Sequence, residues 1–409
     1  MVGIKCHFYI DVHTIRRNNG TMIPRLIQEK VIASLQRNDK IHLIFGPRQS
    51  GKTTILKDVA GIMEKNGLAT LYLNCDIEEN LSQLDTSSLT KLSTLFQKSQ
   101  LIFIDEAQNL SNPGLTLKII HDNLPNIKIV ATGSSSFKLK NSVSDALTGR
   151  YFDFLLYPLS FREAASSLTL SNNEAIKKSQ FDAILSSILT YGLYPEVYLE
   201  PINGQKEALL LKITESYLFK DVFSFQKVRR SQVLVNLAKA LAYQIGSPIS
   251  ENELSKRLGI DRKTVMKYLD ILEQTYVIFR VYPYSKNPQR EIGRSYKVYF
   301  VDLGVRNALI QNFQPLEIRP DVGPLWENFF ISERVKLVAN KIINVQFNYW
   351  KTYDGAKVDL IEHQSGQEMR AFKCKYSQSP LSKGAYSFTK RYETNISLIS
   401  KDNYQDYTG

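Results

Sequence analysis

At 409 residues with 43% apolar content, the chain has room for two to four domains and enough apolar side chains to bury their cores. Its formal net charge of +12 favours an anionic partner such as nucleic acid. Cys6, Cys75 and Cys374 are too widely spaced for a disulfide framework or a zinc pattern, no apolar run approaches the roughly 20 residues that cross a bilayer, and the first residues lack a signal peptide's apolar centre. A reducing cytoplasmic setting without a membrane partner is therefore expected.

Residues 1–21 are polar and basic and end in Arg16-Arg17-Asn18-Asn19-Gly20. They read as a loose extension, or as the product of an upstream start with Met22 the natural one. Met22-Ile23-Pro24-Arg25 opens a helical pattern through Leu35. The apolar run Ile41-His42-Leu43-Ile44-Phe45 then leads into Gly46-Pro47-Arg48-Gln49-Ser50-Gly51-Lys52-Thr53, a G-x-x-x-x-G-K-T loop, and a helix-like stretch to Ala60. Strand, glycine loop and helix N-terminus are the context in which backbone N–H groups face a phosphate. Lys52 adds a full positive charge, and Thr53 adds a hydroxyl for Mg²⁺.

A second signal lies at Leu101-Ile102-Phe103-Ile104-Asp105-Glu106, where a continuous apolar run marks a buried strand ending in two carboxylates. Asp105 is placed to hold Mg²⁺, and Glu106 to polarise the attacking water as general base. A third strand, Ile127 to Thr132, ends in Gly133-Ser134, so that Thr132 and Ser134 are candidates to touch the terminal phosphate or the water. Thr148-Gly149-Arg150 precedes another apolar strand and offers Arg150 as an arginine finger, in cis or to a neighbouring subunit. Strand-like segments at 41–45, 70–74, 101–105, 127–132 and 152–157 alternate with helical ones, which implies a parallel sheet with helices on both faces.

Residues 160–230 read as a helical lid broken at Tyr191-Gly192-Leu193-Tyr194-Pro195. Ser250-Glu251-Asn252-Glu253 then caps a short helix, Gly259-Ile260-Asp261 makes a turn, and Arg262 to Leu272 form a second helix with an apolar stripe of Val265, Tyr268, Leu269 and Leu272. That is a helix-turn-helix pattern. Strands at Tyr276–Tyr282 and Ser295–Val301 would add a winged hairpin. Residues 251–300 carry 10 basic and 6 acidic side chains, net +4. Arg262, Lys263, Thr264 and Lys267 are spaced to reach a major groove, with Lys286, Arg290 and Arg294 of the wing available to phosphates or the minor groove. Further along, Trp326 to Glu333 look helical, followed by strands at Val345–Trp350, Ala356–Ile361 and Arg370–Tyr376.

Taken together, the chain resembles a bacterial and archaeal family of AAA+ ATPases that join an ATPase core to a winged helix and a C-terminal nuclease-like domain of unassigned function. The resemblance is carried by Met22-Ile23-Pro24-Arg25, by Gly46 through Thr54, by Ile104-Asp105-Glu106-Ala107-Gln108 and by Thr132-Gly133-Ser134-Ser135-Ser136. Leu147-Thr148-Gly149-Arg150, Tyr157-Pro158-Leu159-Ser160-Phe161-Arg162-Glu163, Arg262-Lys263-Thr264-Val265 and Tyr299-Phe300-Val301-Asp302-Leu303-Gly304 continue it. It implies an α/β fold divided into an extension (1–21), an AAA+ P-loop core (22–159), a helical lid (160–230), a winged helix-turn-helix (231–300) and a C-terminal α/β domain (301–409). The last looks like the PD-(D/E)xK nuclease fold, in which a helix Glu, a strand Asp and an E-x-K strand bind Mg²⁺ and position water. Glu327 and Asp359 match the first two. At the third, the triplet reads Lys373-Cys374-Lys375. Lys375 keeps the final lysine, but Lys373 puts an ammonium where a carboxylate is expected, so that domain is expected to keep the fold and lose cleavage.

The expected function is an ATP-hydrolysing, Mg²⁺-dependent switch associated with DNA. The alternatives are an ATP-gated nuclease, or a nucleotide-controlled module whose winged helix meets protein. ATP and double-stranded DNA are the expected partners, joined by further copies of the chain if Arg150 acts in trans.

Overall fold

The computed structural model describes residues 23–133, 146–168, 171–216, 231–285, 295–352, 355–364, 366–377, 380 and 383–408. Helix α1 (Leu26–Arg37) leads into β1 (Ile41–Phe45), and the glycine loop feeds α2 (Lys52–Lys65). β2 (Thr70–Asn74), α3 (Glu78–Leu84), α4 (Leu89–Phe96), β3 (Leu101–Asp105), α5 (Pro113–Asn123), β4 (Lys128–Gly133) and β5 (Tyr151–Leu155) complete the core. The five strands form one parallel sheet in the order β2-β3-β4-β1-β5. Every residue of β1 and β3 is buried. Their side chains alternate between two layers: Ile41, Leu43, Ile102 and Ile104 pack with α4 and α5, whereas Ile44, Leu101 and Phe103 pack with α1 and α2. Burial on both faces is why these strands read as unbroken apolar runs.

Beyond the core come α6 (Phe161–Ser166), α7 (Glu174–Tyr191), α8 (Pro195–Leu199), α9 (Asn203–Ser216) and α10 (Ser231–Tyr243). They are followed by α11 (Glu251–Leu258) and α12 (Arg262–Gln274), the two helices of the expected helix-turn-helix. Ser250 accepts from the Glu253 N–H, Gly259 closes α11 in the left-handed region at φ +65°, and Asp261 accepts from the Thr264 N–H, so three local side-chain choices make the turn. β6 (Ile278–Pro283) and β7 (Lys297–Phe300) then pair antiparallel as the expected hairpin.

The remaining elements are α13 (Leu303–Leu309), α14 (Val322–Ala339), β8 (Gln346–Lys351), β9 (Lys357–His363), β10 (Arg370–Cys374), α15 (Lys383–Tyr392), β11 (Ile396–Ile399) and α16 (Gln405–Thr408). The second sheet has six strands in the order β11-β10-β9-β8-β6-β7. It runs across residue 300, because β6 of the hairpin pairs parallel with β8 through Tyr282–Asn348 and Pro283–Tyr349. One apolar core joins α6, α7, the helix-turn-helix, the hairpin and α14. The molecule therefore has two bodies, a nucleotide-type core and a larger C-terminal body. Among the described residues, no helix is long and apolar enough to cross a membrane.

Candidate functional site

Because all five strands of the first sheet are parallel, their carboxyl ends share one edge, where ligands of open α/β sheets bind. The register sets Phe45 opposite Gly133 and Ile104 opposite Ala131, which brings the loop after β1, the carboxylates after β3 and Thr132 of β4 together. A Cβ on Gly46 would lie 2.1 Å from the Leu156 carbonyl oxygen, so only glycine lets the loop pass there. Gly51 sits at the N-cap of α2 at φ +96° with no side-chain cap, leaving the first N–H groups of α2 to the loop's interior. Lys52 is buried, and its Nζ donates to the carbonyls of Gly46 at 3.0 Å and Pro47 at 2.7 Å. Pro47 and Ser50 are buried, Arg48 and Thr53 half-buried, and Gln49 and Thr54 exposed. Thr54 thus lies on the outer side of α2, apart from the loop's interior.

Asp105 is 1% exposed and is held by two hydroxyls: Tyr72 donates to its Oδ2 at 2.8 Å, and Thr132 donates to its Oδ1. The Thr132 oxygen also accepts from the Glu106 N–H at 3.0 Å. Its proton is therefore committed to Asp105, and Thr132 positions the two carboxylates rather than reaching toward a phosphate. Glu106 itself adopts φ +54°, a costly conformation for a side chain-bearing residue, and accepts from the Gln108 amide. Burial, with Asp105 beside it, pushes the Tyr72 phenol far up, so it stays a donor. Burial and the same carboxylate push the Cys75 thiol up to about 12, which leaves it un-ionised. Ser134 lies outside the described residues.

Arg150 is not at this edge. It precedes β5 at the amino end of the sheet, where its carbonyl accepts from the Ile41 N–H at 2.9 Å. One strand length, about 17 Å for five residues, separates that end from the loop. The guanidinium pairs instead with Asp122 at 2.8 Å and, with His121, holds that carboxyl down to about 2. An arginine finger in cis is ruled out by this placement.

In the C-terminal body, α14 and strands β8 to β10 do bring Glu327 and Asp359 into one neighbourhood, but each faces an ammonium. Lys373 donates to Asp359 Oδ1 at 2.8 Å, and the Cys374 N–H donates to Oδ2 at 2.9 Å. Glu327 Oε1 accepts from Lys297 at 2.8 Å and from the Tyr299 hydroxyl at 2.6 Å. Burial alone would lower the Lys297 ammonium's pKa, but Glu327 and Asp359 outweigh it and raise it. Both lysines are buried, whereas Lys375, just past the end of β10, is exposed. Lys297 has no counterpart in the expected set, because it comes from the hairpin, which no linear motif connects to the E-x-K triplet.

On α12, Lys263 is exposed and Lys267 half-buried. Arg262 is tied to Glu251 at 2.6 Å, and the Thr264 hydroxyl donates to Asp261 at 2.6 Å, so these two are engaged within the helix-turn-helix. Lys286, Arg290 and Arg294 lie outside the described residues. Sequence reasoning also missed Tyr72 and assigned no role to Arg25, which contacts the glycine loop directly.

Residues 38–165 match an AAA domain family, while residues 183–316 and 322–408 match two domains of unknown function. An uncharacterised protein of Haemophilus influenzae is 27% identical over 71% of this chain and 74% of its own. One from Mycobacterium tuberculosis is 26% identical over 83% of this chain and 70% of its own. Among solved structures, a Walker-type ATPase of Pyrococcus abyssi is similar at a TM-score of 0.46 and 16% identity, covering 71% of this chain and 96% of its own. The strand order and the loop, rather than that likeness, carry the assignment of the core. Residues 38–165, which match the AAA domain family, have the parallel-sheet fold of a P-loop ATPase core, and the two regions that match domains of unknown function follow it in the chain.

Proposed function

We propose that this chain is a Mg²⁺-dependent ATP hydrolase whose nucleotide state is passed to a DNA-contacting winged helix. The observation that carries the reading is the convergence of the glycine loop, Asp105 and Glu106 at the carboxyl edge of one parallel sheet. Loop N–H groups and the start of α2 bind the phosphates, and Lys52 exchanges the carbonyls of Gly46 and Pro47 for phosphate oxygens. Thr53 and Asp105 are the residues that would hold Mg²⁺. The donor set fits, since Asp105 is a carboxylate buried against neutral hydroxyls, and Mg²⁺ takes only one or two protein oxygens beside phosphate. Bound there, the ion would offset the phosphate charge. Glu106, aimed by its strained backbone and the Thr132 hydroxyl, takes the proton of the attacking water. Arg150, at the far edge, serves the site of a neighbouring copy.

The division into core, lid, winged unit and C-terminal domain is kept as a functional proposal. Contact with duplex DNA runs through Lys263 and the basic wing. The Arg262–Glu251 pair favours a second reading, in which this face meets protein. The C-terminal domain is proposed to be inert as a nuclease, because Lys297 and Lys373 supply the positive charge a metal would supply. ATP turnover measured with and without duplex DNA, across a protein concentration series, tests the reading. Turnover that Lys52→Ala abolishes, that rises with protein concentration and responds to DNA, is expected. Wild-type turnover no higher than that of Lys52→Ala overturns it. Plasmid nicking in Mn²⁺ equal to that of Asp359→Ala is expected for the C-terminal domain.

A further inference from the structure

Arg25 sits at the N-cap of α1, outside every motif of the nucleotide site, yet its guanidinium reaches three separate elements. Nη1 donates to the Ser50 carbonyl of the glycine loop at 2.7 Å, Nη2 to the Tyr157 carbonyl at 2.6 Å, and Nε to Glu163 at 3.1 Å. Only 10% of the side chain is exposed. The Ser50 carbonyl and the Gly51 N–H belong to one planar trans peptide and point to opposite sides of it. Holding the carbonyl with a fixed cation therefore fixes the Gly51 N–H, at the N-cap of α2, in the direction away from Arg25.

The same guanidinium begins a chain of buried polar contacts into the C-terminal body. Glu163 also accepts from the N–H groups of Leu26 and Ser160, both at 2.8 Å, so it locks the start of α1 to the start of α6. The next residue of α6, Phe161, donates its N–H to Glu333 of α14 at 2.6 Å. Lys336 closes the link, donating to Glu333 and to the Leu159 carbonyl, each at 2.8 Å. Glu163, Glu333 and Lys336 are all buried. Further along α14, the Asn328 amide holds both backbone groups of Phe300 in β7, at 2.7 and 2.8 Å. Hydrogen bonds, the backbone at the start of α6 and the helix α14 thus connect the Ser50 carbonyl to the hairpin beside the helix-turn-helix.

We infer that Arg25 is the positioning residue of the phosphate loop and that, through Glu163, Glu333 and α14, it transmits the loop's nucleotide state to the hairpin. The inference rests on the nucleotide site proposed above. Nucleotide pulls on the Gly51 N–H and on Lys52, and the Ser50 carbonyl must shift with its peptide. Arg25 moves or yields with it, and the rigid buried pairs carry the displacement to α14. A lysine gathers its donors on one nitrogen where the arginine fork spreads them over three, so Lys at this position cannot match all three acceptors in their separate directions.

The test compares wild type, Lys52→Ala, Arg25→Met, Arg25→Lys and Glu333→Gln/Lys336→Met. It reads affinity for a fluorescent ATP analogue, kcat and KM for ATP, and amide hydrogen exchange of α14 and β7 with and without nucleotide. Arg25→Met is expected to weaken binding and raise KM roughly tenfold to a hundredfold, the loss of a charged hydrogen bond to the loop, with kcat less affected. Arg25→Lys recovers part of the affinity. The double variant removes both charges of the buried pair together, keeps the affinity, and loses the nucleotide-dependent protection of α14 and β7. Wild-type affinity in Arg25→Met overturns the positioning role. Undiminished protection in the double variant overturns the transmission. Wild-type affinity in Lys52→Ala would instead sink the nucleotide site itself, so the two failures are distinguishable.

Discussion

The two bodies each bring a pair of carboxylates together with one member buried, Asp105 in the core and Asp359 in the C-terminal body, and the donors around them differ in charge. At the AAA site, Tyr72 and Thr132 hold Asp105 with hydroxyls, which orient a carboxylate without cancelling its charge. At the C-terminal site, Lys297 and Lys373 hold Glu327 and Asp359 with ammonium groups. The first arrangement leaves a buried anion with a reason to bind a cation. The second has its cations built in, on side chains that cannot leave. Matching the carboxylates alone makes both look like metal sites, and the donors on those carboxylates separate them.

The largest effect that tests this contrast is catalytic. Glu106→Gln should lower ATP turnover by about 10²- to 10⁴-fold while nucleotide still binds, and Asp359→Asn should leave kcat and KM unchanged. Steady-state kinetics of both variants would break the comparison if the order were reversed.

Stability inverts the ranking. Lys373→Met strands the buried Asp359 charge and should destabilise the C-terminal body by roughly 3–5 kcal/mol, while Lys373→Met with Asp359→Leu recovers much of it. Denaturant melts followed by tryptophan fluorescence can read this, since both tryptophans, Trp326 and Trp350, lie in that body. A single variant as stable as wild type would mean that the pair is not holding the site together.

The core has a pH dependence of its own. Burial lowers His42 in β1 from 6.5 to about 4. Between those values, the unfolded chain takes up a proton that the folded core refuses, so stability falls as pH drops through the window from 6.5 to about 4 and levels off below it. The full effect is about 3 kcal/mol. His42→Gln should flatten the slope, as seen by circular dichroism melts across that window. An unchanged slope would assign the acid sensitivity elsewhere.

The smallest expected effect sharpens the hydroxyl side of the comparison. Tyr72→Phe removes one donor to Asp105 and should raise the Mg²⁺ concentration for half-maximal turnover by about fivefold to tenfold, with little change in stability. A titration of turnover against Mg²⁺ that overlays wild type would show Thr132 to be sufficient.

Much of this molecule was legible in one dimension because its signals are local. The glycine loop, the apolar strand ending in Asp105 and Glu106, and the helix-turn-helix with its caps at Ser250, Gly259 and Asp261 all depend on residues a few positions apart. Lys373 in place of a carboxylate was readable for the same reason. Arg150 was not: its position just before a strand gives the amino end, but only the parallel pairing of that strand with β1 puts that end one strand length from the loop. Thr132 stood at the expected strand tip, but its proton is taken by a residue on the adjacent strand.

By itself, then, the amino-acid order determined the elements, the phosphate loop and the identity of the ionisable groups, since backbone propensity and side-chain period act over a few residues. Tertiary structure alone decided which charge faces which. Lys297 meets Glu327 across 30 residues, and Arg25 meets Glu163 across 138. Electrostatic pairing depends on distance in space and on the burial that removes water's screening, and neither is written in sequence separation.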